Sequence, residues 1–248
     1  MTSDKAYKVL AKQENISNSK AKELIDKGLV TAKGKKVMIA RGEVPADTVF
    51  TVKVIADAKV IFEDDDILAV DKPAFVNAED VGKKFKGAIL LNRLDRETSG
   101  VMLYTKNEEF QKKAIQEFKS KRVYKEYVAI VEGKVIDEIV IDEPILTIKG
   151  KSAKSKVDKQ KGKPALTTIY PMFVEGRKSK VKIVIEDGRT HQIRVHCRFA
   201  EYPIIGDLQY GRPTANVNRM LLHSKITKIF DYTFEAKEPR EFKVFDFS

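Results

Sequence analysis

Asp95 stands between two arginines in the run Asn92-Arg93-Leu94-Asp95-Arg96-Glu97-Thr98-Ser99-Gly100. Positive charge on both sides favours the carboxylate form, which has the chemistry of a nucleophile or base and not of an acid. The spacing alone fits a charged surface turn as well, because Ser99-Gly100 is turn-forming. Glu97 supplies a second carboxylate in the same turn. A glycosidase-type pair needs one carboxyl with a raised pKa, however, and flanking arginines give no cause for that.

A second cluster, Gly188-Arg189-Thr190-His191-Gln192-Ile193-Arg194-Val195-His196, gathers further guanidinium and imidazole groups. Thr190 is placed to cap a helix running to about Glu201, on which Arg194 and Arg198 share a face at the i, i+4 spacing. Two arginines on one face call for an anion: a phosphate, a carboxylate such as Asp95, or the acidic half of a structural salt bridge. Other chemistries fail on spacing. His191, His196, Cys197 and His223 match no recognised metal-ligand pattern. No Gly-rich loop ends in Gly-Lys-Ser or Gly-Lys-Thr, and no Gly-x-Gly-x-x-Gly opens a helix, which argues against nucleotide hydrolysis and dinucleotide redox chemistry. Cys197 is the single cysteine, so an internal disulfide and a multi-cysteine zinc site are both excluded; its helical context reads as a small buried residue.

These residues must be positioned by a chain of 248 residues, 42% of them hydrophobic, which suffices for one large domain or a medium domain with a small appendage. Forty-seven Lys and Arg against thirty-six Asp and Glu give a net charge of +11 and point to a polyanionic partner. Nucleic acid is favoured over a membrane surface, since no amphipathic helix carries large exposed apolar residues. No apolar run approaches a membrane span, and the first twenty residues lack the apolar block of a signal peptide. A cytoplasmic monomer without membrane attachment is the expectation.

Residues 1–55 read as a unit of their own. Val9, Leu10 and Ala11 lie on a short helix, Asn15-Ile16-Ser17 interrupts it, and Ser17 caps a second helix from Ser19 to Lys27 that Gly28 stops. Leu24 and Ile25 face inward there, with Lys20, Lys22 and Lys27 toward solvent. Short strands follow at 29–32, 37–39 and 48–54. From residue 56 onward strands dominate: 59–62 and 67–70 as a hairpin, 101–105, 122–132 and 181–186. Asn107 caps a helix whose buried stripe is Phe110, Ala114, Ile115 and Phe118. Seven lysines crowd the fifteen residues from Lys149 to Lys163, a solvated hairpin tip or, with RNA as ligand, a phosphate-contacting arm.

Residues 16–30, Ile16-Ser17-Asn18-Ser19-Lys20-Ala21-Lys22-Glu23-Leu24-Ile25-Asp26-Lys27-Gly28-Leu29-Val30, resemble the small S-four-like RNA-binding domain. The remainder resembles the RluA family of RNA pseudouridine synthases. The motifs that carry this are Lys72-Pro73, the Asp95 run, Lys125-Glu126-Tyr127-Val128-Ala129-Ile130-Val131-Glu132-Gly133, the 188–196 cluster and Pro203-Ile204-Ile205-Gly206-Asp207, in that order.

The resemblance implies an α+β catalytic domain over residues 56–248, built on a mixed, largely antiparallel sheet, behind an RNA-binding domain at 1–55. It implies isomerisation of uridine to pseudouridine in structured RNA, large-subunit ribosomal RNA before transfer RNA, without metal or organic cofactor. A noncatalytic RNA-binding or ribosome-assembly factor on the same scaffold is the alternative. Asp95 matches the aspartate that breaks the C1'–N1 bond, Tyr127 the tyrosine that stacks on the base and assists proton removal from C5, and Arg194 the arginine paired with the aspartate. Asn92, Arg93, Arg96, Arg189, His191, Gln192 and Leu222 fall on the substrate side, and Lys20, Lys22 and Lys27 on the RNA-binding helix. The sequence departs from the pattern at Asn92, where the family usually has a histidine credited with helping to flip the base, and in the short segment between Pro73 and Asn92.

Overall fold

The computed structural model describes residues 2–148, 150, 153–212, 217 and 219–243. The chain divides into two compact units, Met1–Ala56 and Asp57–Ser248.

In the first unit, β1 (Ser3–Lys5) leads into α1 (Ala6–Glu14) and α2 (Asn18–Asp26), followed by β2 (Val30–Ala32), β3 (Lys35–Lys36), β4 (Glu43–Pro45) and β5 (Phe50–Val52). Asn15 ends α1 in the left-handed region, and the Ser17 hydroxyl accepts the Lys20 amide to start α2. Leu10, Ala21, Ile25, Val30 and Phe50 form the core, with Leu24 only half-buried. Strands β3, β2 and β5 make one small sheet and β1 pairs with β4. The expected strand at 37–39 is absent. The Val37 amide makes the last bond to β2, at the Val30 carbonyl, and Met38 and Ile39 beyond it are exposed.

The second unit runs β6 (Lys59–Glu63), β7 (Leu68–Lys72), α3 (Ala78–Gly82), β8 (Ile89–Leu90), β9 (Ser99–Thr105), α4 (Glu108–Lys119), β10 (Tyr124–Glu132), β11 (Ile139–Asp142), β12 (Ile145–Ile148), β13 (Lys154–Val157), β14 (Leu166–Glu175), β15 (Lys178–Ile185), α5 (Gln192–Phe199), β16 (Leu222–Ile229), β17 (Tyr232–Glu235) and α6 (Arg240–Lys243). Its main sheet has the order β11-β14-β15-β10-β16-β9-β7-β6, with β17 on β16 and β8 on β9. All its pairings among the described residues are antiparallel except β9 with β16. The fold is therefore mixed α+β.

Strand periodicity assigns the two faces. Tyr127, Ala129 and Val131 of β10, with Met102 and Tyr104 of β9, join Ile193 and Cys197 of α5 in one core. Val101 and Leu103 turn to the other face, against Phe110 and Ala114 of α4. Asn107 caps α4 through both Glu109 and Phe110 amides, but Ile115 is exposed and Phe118 half-buried, so the buried stripe of that helix is narrower than its sequence suggests. Gly100 makes the central parallel contact possible: a Cβ there would lie 2.0 Å from the Ser224 carbonyl oxygen. The lysine-rich stretch is the β12–β13 hairpin, with Ser155 buried. Lys149, Lys151 and Ser152 lie outside the described residues.

Candidate active site

Asp95 lies in the connection from β8 to β9, in a turn closed by the Thr98 amide donating to the Asp95 carbonyl. Two buried lysines fix the walls around it. Lys72 donates its three ammonium hydrogens to the carbonyls of Pro73, Val76 and Arg96, tying the loop after β7 to the Asp95 turn. Burial pulls its pKa down to about 7, with Arg219 adding to the effect and Asp95 opposing it. Lys125 of β10 donates to the carbonyls of Glu186 and Asp187 and so anchors the segment that leads into α5.

Helix α5 begins at Gln192, later than expected, and Thr190 does not cap it. His191 is the N-cap residue, in the left-handed region at φ 57° and without a side-chain cap. Such a conformation is costly for a residue with a Cβ. Here it aims the imidazole back across the cleft, with Nδ1 2.8 Å from the Tyr210 hydroxyl and Nε2 3.9 Å from Asp95. Burial holds the pKa of His191 below its ordinary value despite the nearby Asp95, so its contact with the carboxylate is dipolar at neutral pH.

Arg194, one turn into α5, is the centre of the arrangement. Its Nε and one terminal nitrogen make a bidentate pair with Asp207 at 2.7 and 2.9 Å, while the other terminal nitrogen reaches Asp95 at 3.0 Å. The guanidinium also donates to Gln209 and lies over the Tyr210 ring. Burial opposes its charge, but Asp207 and Asp95 outweigh burial and raise its pKa. Asp207 shows the converse: burial would raise it, and Arg194 holds it below the usual carboxylate range. Arg194 is 6% exposed and Asp95 23%, so a substrate entering the cleft meets the aspartate, not the arginine behind it. Gly206 lets the Asp207 loop approach this closely. It has a φ of 80°, and a Cβ there would sit 2.1 Å from the Arg219 carbonyl oxygen.

Tyr127 and Leu222 complete the apolar wall. The β10–β16 register slips between Glu126 and Tyr127, a bulge of the kind that re-aims a side chain beside a site. Burial pushes the Tyr127 phenol up despite its hydrogen bond with Ser224, and Asp95 adds to the rise, so the resting group is a neutral phenol.

Of the residues singled out by sequence, Arg93, Asp95, Tyr127, Arg189, His191, Gln192, Arg194 and Leu222 line one cleft together with Leu94, Thr98 and Ile185. Arg93 is at its rim, largely exposed. Arg189 is held by the Pro164 carbonyl and Asp187, and Gln192 by Leu166, Thr167 and the Arg189 amide, so Gln192 braces the loop. Asn92 and Arg96 are not part of the lining. Asn92 accepts the Leu103 amide at 2.7 Å and thereby anchors β9, and Arg96 pairs with Glu97 at 2.7 Å. Arg198, one turn further along α5 and near its C-terminal end, is exposed and does not line the cleft. His196 and His223 are each satisfied by neighbouring hydroxyl and carbonyl groups, and among the described residues no three His, Cys, Asp or Glu gather to hold a metal. In the first unit Lys20 and Lys27 pair with Glu23, and Lys22 lies over the Tyr7 ring. Sequence reasoning gave no role to Asp207, Gln209 or Tyr210. The Gly-Asp turn was the available signal for the first, and nothing local marked the others.

The fold and the cleft define an α+β enzyme in which an accessible carboxylate, Asp95, is held by a buried arginine and opens onto an aromatic and aliphatic wall. Residues 58–199 match the family described as RNA pseudouridylate synthase. The chain belongs to that family, in its RluA-type branch. It is 48% identical over 242 residues to a protein of Helicobacter pylori strain J99 named as an RNA pseudouridine synthase, an alignment covering 97% of this chain and 100% of that protein. Ribosomal large subunit pseudouridine synthase D of Pasteurella multocida is 27% identical over 240 residues, covering 84% of this chain and 74% of the relative. Among solved structures, Human RNA Pseudouridylate Synthase Domain Containing 1 superposes with a TM-score of 0.64 at 27% identity, covering 76% of this chain and 86% of that one.

Proposed function

We propose that this protein isomerises uridine to pseudouridine in large-subunit ribosomal RNA, with Asp95 as the reacting carboxylate. The observation that carries the reading is the chain Asp95–Arg194–Asp207, in which a buried arginine, itself held by a second carboxylate, fixes an accessible aspartate. In the reaction the C1'–N1 bond breaks, C1'–C5 forms, C5 gives up a proton and N1 gains one, so substrate and product contain the same atoms. Asp95 acts on the ribose or the base in the first step. Tyr127 and Leu222 hold the detached uracil while it turns, and the neutral Tyr127 phenol, with Ser224 hydrogen-bonded beside it, takes the C5 proton as it releases its own to water, while N1 takes a proton from water. The target base leaves its stack to enter the cleft, and RNA contacts offset the cost of extruding it. The ribosomal substrate is supported by the Pasteurella multocida relative. We read the first unit as an S-four-like RNA-binding domain, on its two helices followed by small strands and on its lysines.

Mapping pseudouridine across total cellular RNA with and without the gene tests the substrate. A site lost from large-subunit ribosomal RNA is expected, and loss confined to transfer RNA would overturn that choice. Asp95→Asn should abolish turnover while RNA affinity stays within a few-fold of wild type. Substantial residual isomerisation would remove Asp95 from its role.

A further inference from the structure

A second cavity, of about 660 Å³, opens at the C-terminal ends of α5 and β10 and shares no lining residue with the Asp95 cleft. Its charged lining is Arg177, Lys178, Arg198 and Arg212 against Glu132 and Glu201, an excess of positive charge. Arg177 and Arg198 are exposed, and among the described residues neither side chain has an ion-pair or hydrogen-bond partner. Beside them Phe199, 50% exposed, ends α5 with a bare aromatic ring. The floor is fixed: the Glu132 amide donates to the Pro203 carbonyl and the Gly133 amide to the Arg177 carbonyl.

Cations without counter-ions beside a free ring are the combination that holds single-stranded nucleic acid, phosphates on the guanidiniums and one unstacked base on the aromatic. We propose that this cavity is a second RNA-binding site, which grips a single-stranded segment flanking the target uridine. The proposal rests on the reading of RNA as substrate. Arg198 lies about 6 Å along α5 from Arg194, and Glu132 about 17 Å along β10 from Tyr127. Separations of this size are ones that a few nucleotides of a single strand can span.

The test uses the full-length protein and total RNA from cells lacking the gene, which contains any endogenous target. Initial rates of pseudouridine formation give kcat and KM, and binding of the same RNA at several salt concentrations gives the electrostatic slope. The double reversal Arg177→Glu/Arg198→Glu should raise KM about tenfold or more, leave kcat within about twofold and make the slope of log affinity on log salt shallower by about one to two. Phe199→Ala should raise KM about tenfold with the salt slope unchanged. Arg177→Lys/Arg198→Lys should keep most of the affinity, and matching thermal melts show that the exposed changes leave the fold intact. Wild-type KM and salt slope in both the reversal and Phe199→Ala would overturn the cavity as an RNA site, as would a fall in kcat alone. Failure of the wild-type protein to modify any of this RNA would instead overturn the proposed function. RNA affinity of Asp95→Asn, with and without the double reversal, reads the cavity independently of turnover.

Discussion

Arg194 distributes its donors over Asp207, Gln209 and Asp95, and only the last of these faces the opening of the cleft. The position of the Asp95 carboxylate is thus set by a residue that is itself almost fully buried. Asp207→Asn removes the charge that balances the buried guanidinium while leaving its volume almost unchanged. Breaking such a pair costs about 3–5 kcal/mol. A guanidinium displaced by about 1 Å lowers kcat by about a hundredfold. Urea unfolding and single-turnover kinetics should register both, and a variant with wild-type kcat would show that Asp207 only stabilises. A separate prediction concerns His223, which is buried against Ser99 and Ala236. Burial takes its pKa from 6.5 to about 4. Its stabilising contribution is complete above pH 6.5, where it is neutral folded and unfolded, and is lost as the pH falls toward 4 because only the unfolded form binds the proton; the loss is about 3 kcal/mol. Unfolding free energies between pH 7 and 4 should show this decline, and in His223→Gln it should be smaller by about 3 kcal/mol, the remainder coming from His191 and His196, which burial also lowers. The wild-type protein losing nothing across that window would contradict the assignment. At this scale Asp95 and Arg194 were legible as charged partners, whereas Asp207 and Tyr210 gain meaning only when the loop after α5 folds back onto that helix.

The elements that carry these residues meet along β9, β10 and β16, with β9 directly against the β16 backbone at Gly100. With φ at 112° and the Ser224 carbonyl where a Cβ would go, Gly100 tolerates no side chain. Gly100→Ala must push β9 away from β16, which separates the Asp95 turn from the Tyr127–Leu222 wall. Soluble yield and melting temperature should fall sharply, with a cost of several kcal/mol, more than about 3. A variant that melts with the wild type would mean the strands can part without consequence. Strands with clear alternation, such as β10 and β15, were readable from sequence within a few residues. Strands β14 and β16 were not, because Leu166–Glu175 mixes a proline and exposed apolar residues into its run, and Leu222–Ile229 carries a histidine, a serine and two lysines. The beginning of α5 differs for another reason: Thr190 has the right chemistry for a cap, but the left-handed His191 occupies that position and lines the cleft. Local rules fail where function sets the backbone. The lysine-rich hairpin also departs from a free solvated tip, since the Ser155 amide donates to Tyr210 and the Ala153 carbonyl accepts from Gln209. Both contacts lead directly to the groups around Asp95.

Over the whole molecule, the excess of positive charge is unevenly shared. Residues 1–56 hold eleven Lys and Arg against six Asp and Glu, nearly half of the net +11 in less than a quarter of the chain. None of these residues lines the cleft. On the function proposed above, we assign them to capture of the RNA and not to the chemistry. Local ion pairs reduce what each cation offers: Glu23 engages Lys20 and Lys27, and exposed pairs of this kind exchange readily with other anions. Removing residues 1–56 leaves a second unit with its own core and a complete cleft. The shortened chain should therefore keep kcat within a few-fold while losing RNA affinity by about tenfold to a hundredfold. Its slope of log affinity on log salt should be shallower by about 0.7–0.9 for each phosphate contact removed. Filter binding from 50 to 300 mM salt measures this directly. An unchanged slope with reduced affinity would mean that the first unit recognises RNA through shape or stacking, and an unchanged affinity would assign it to another partner.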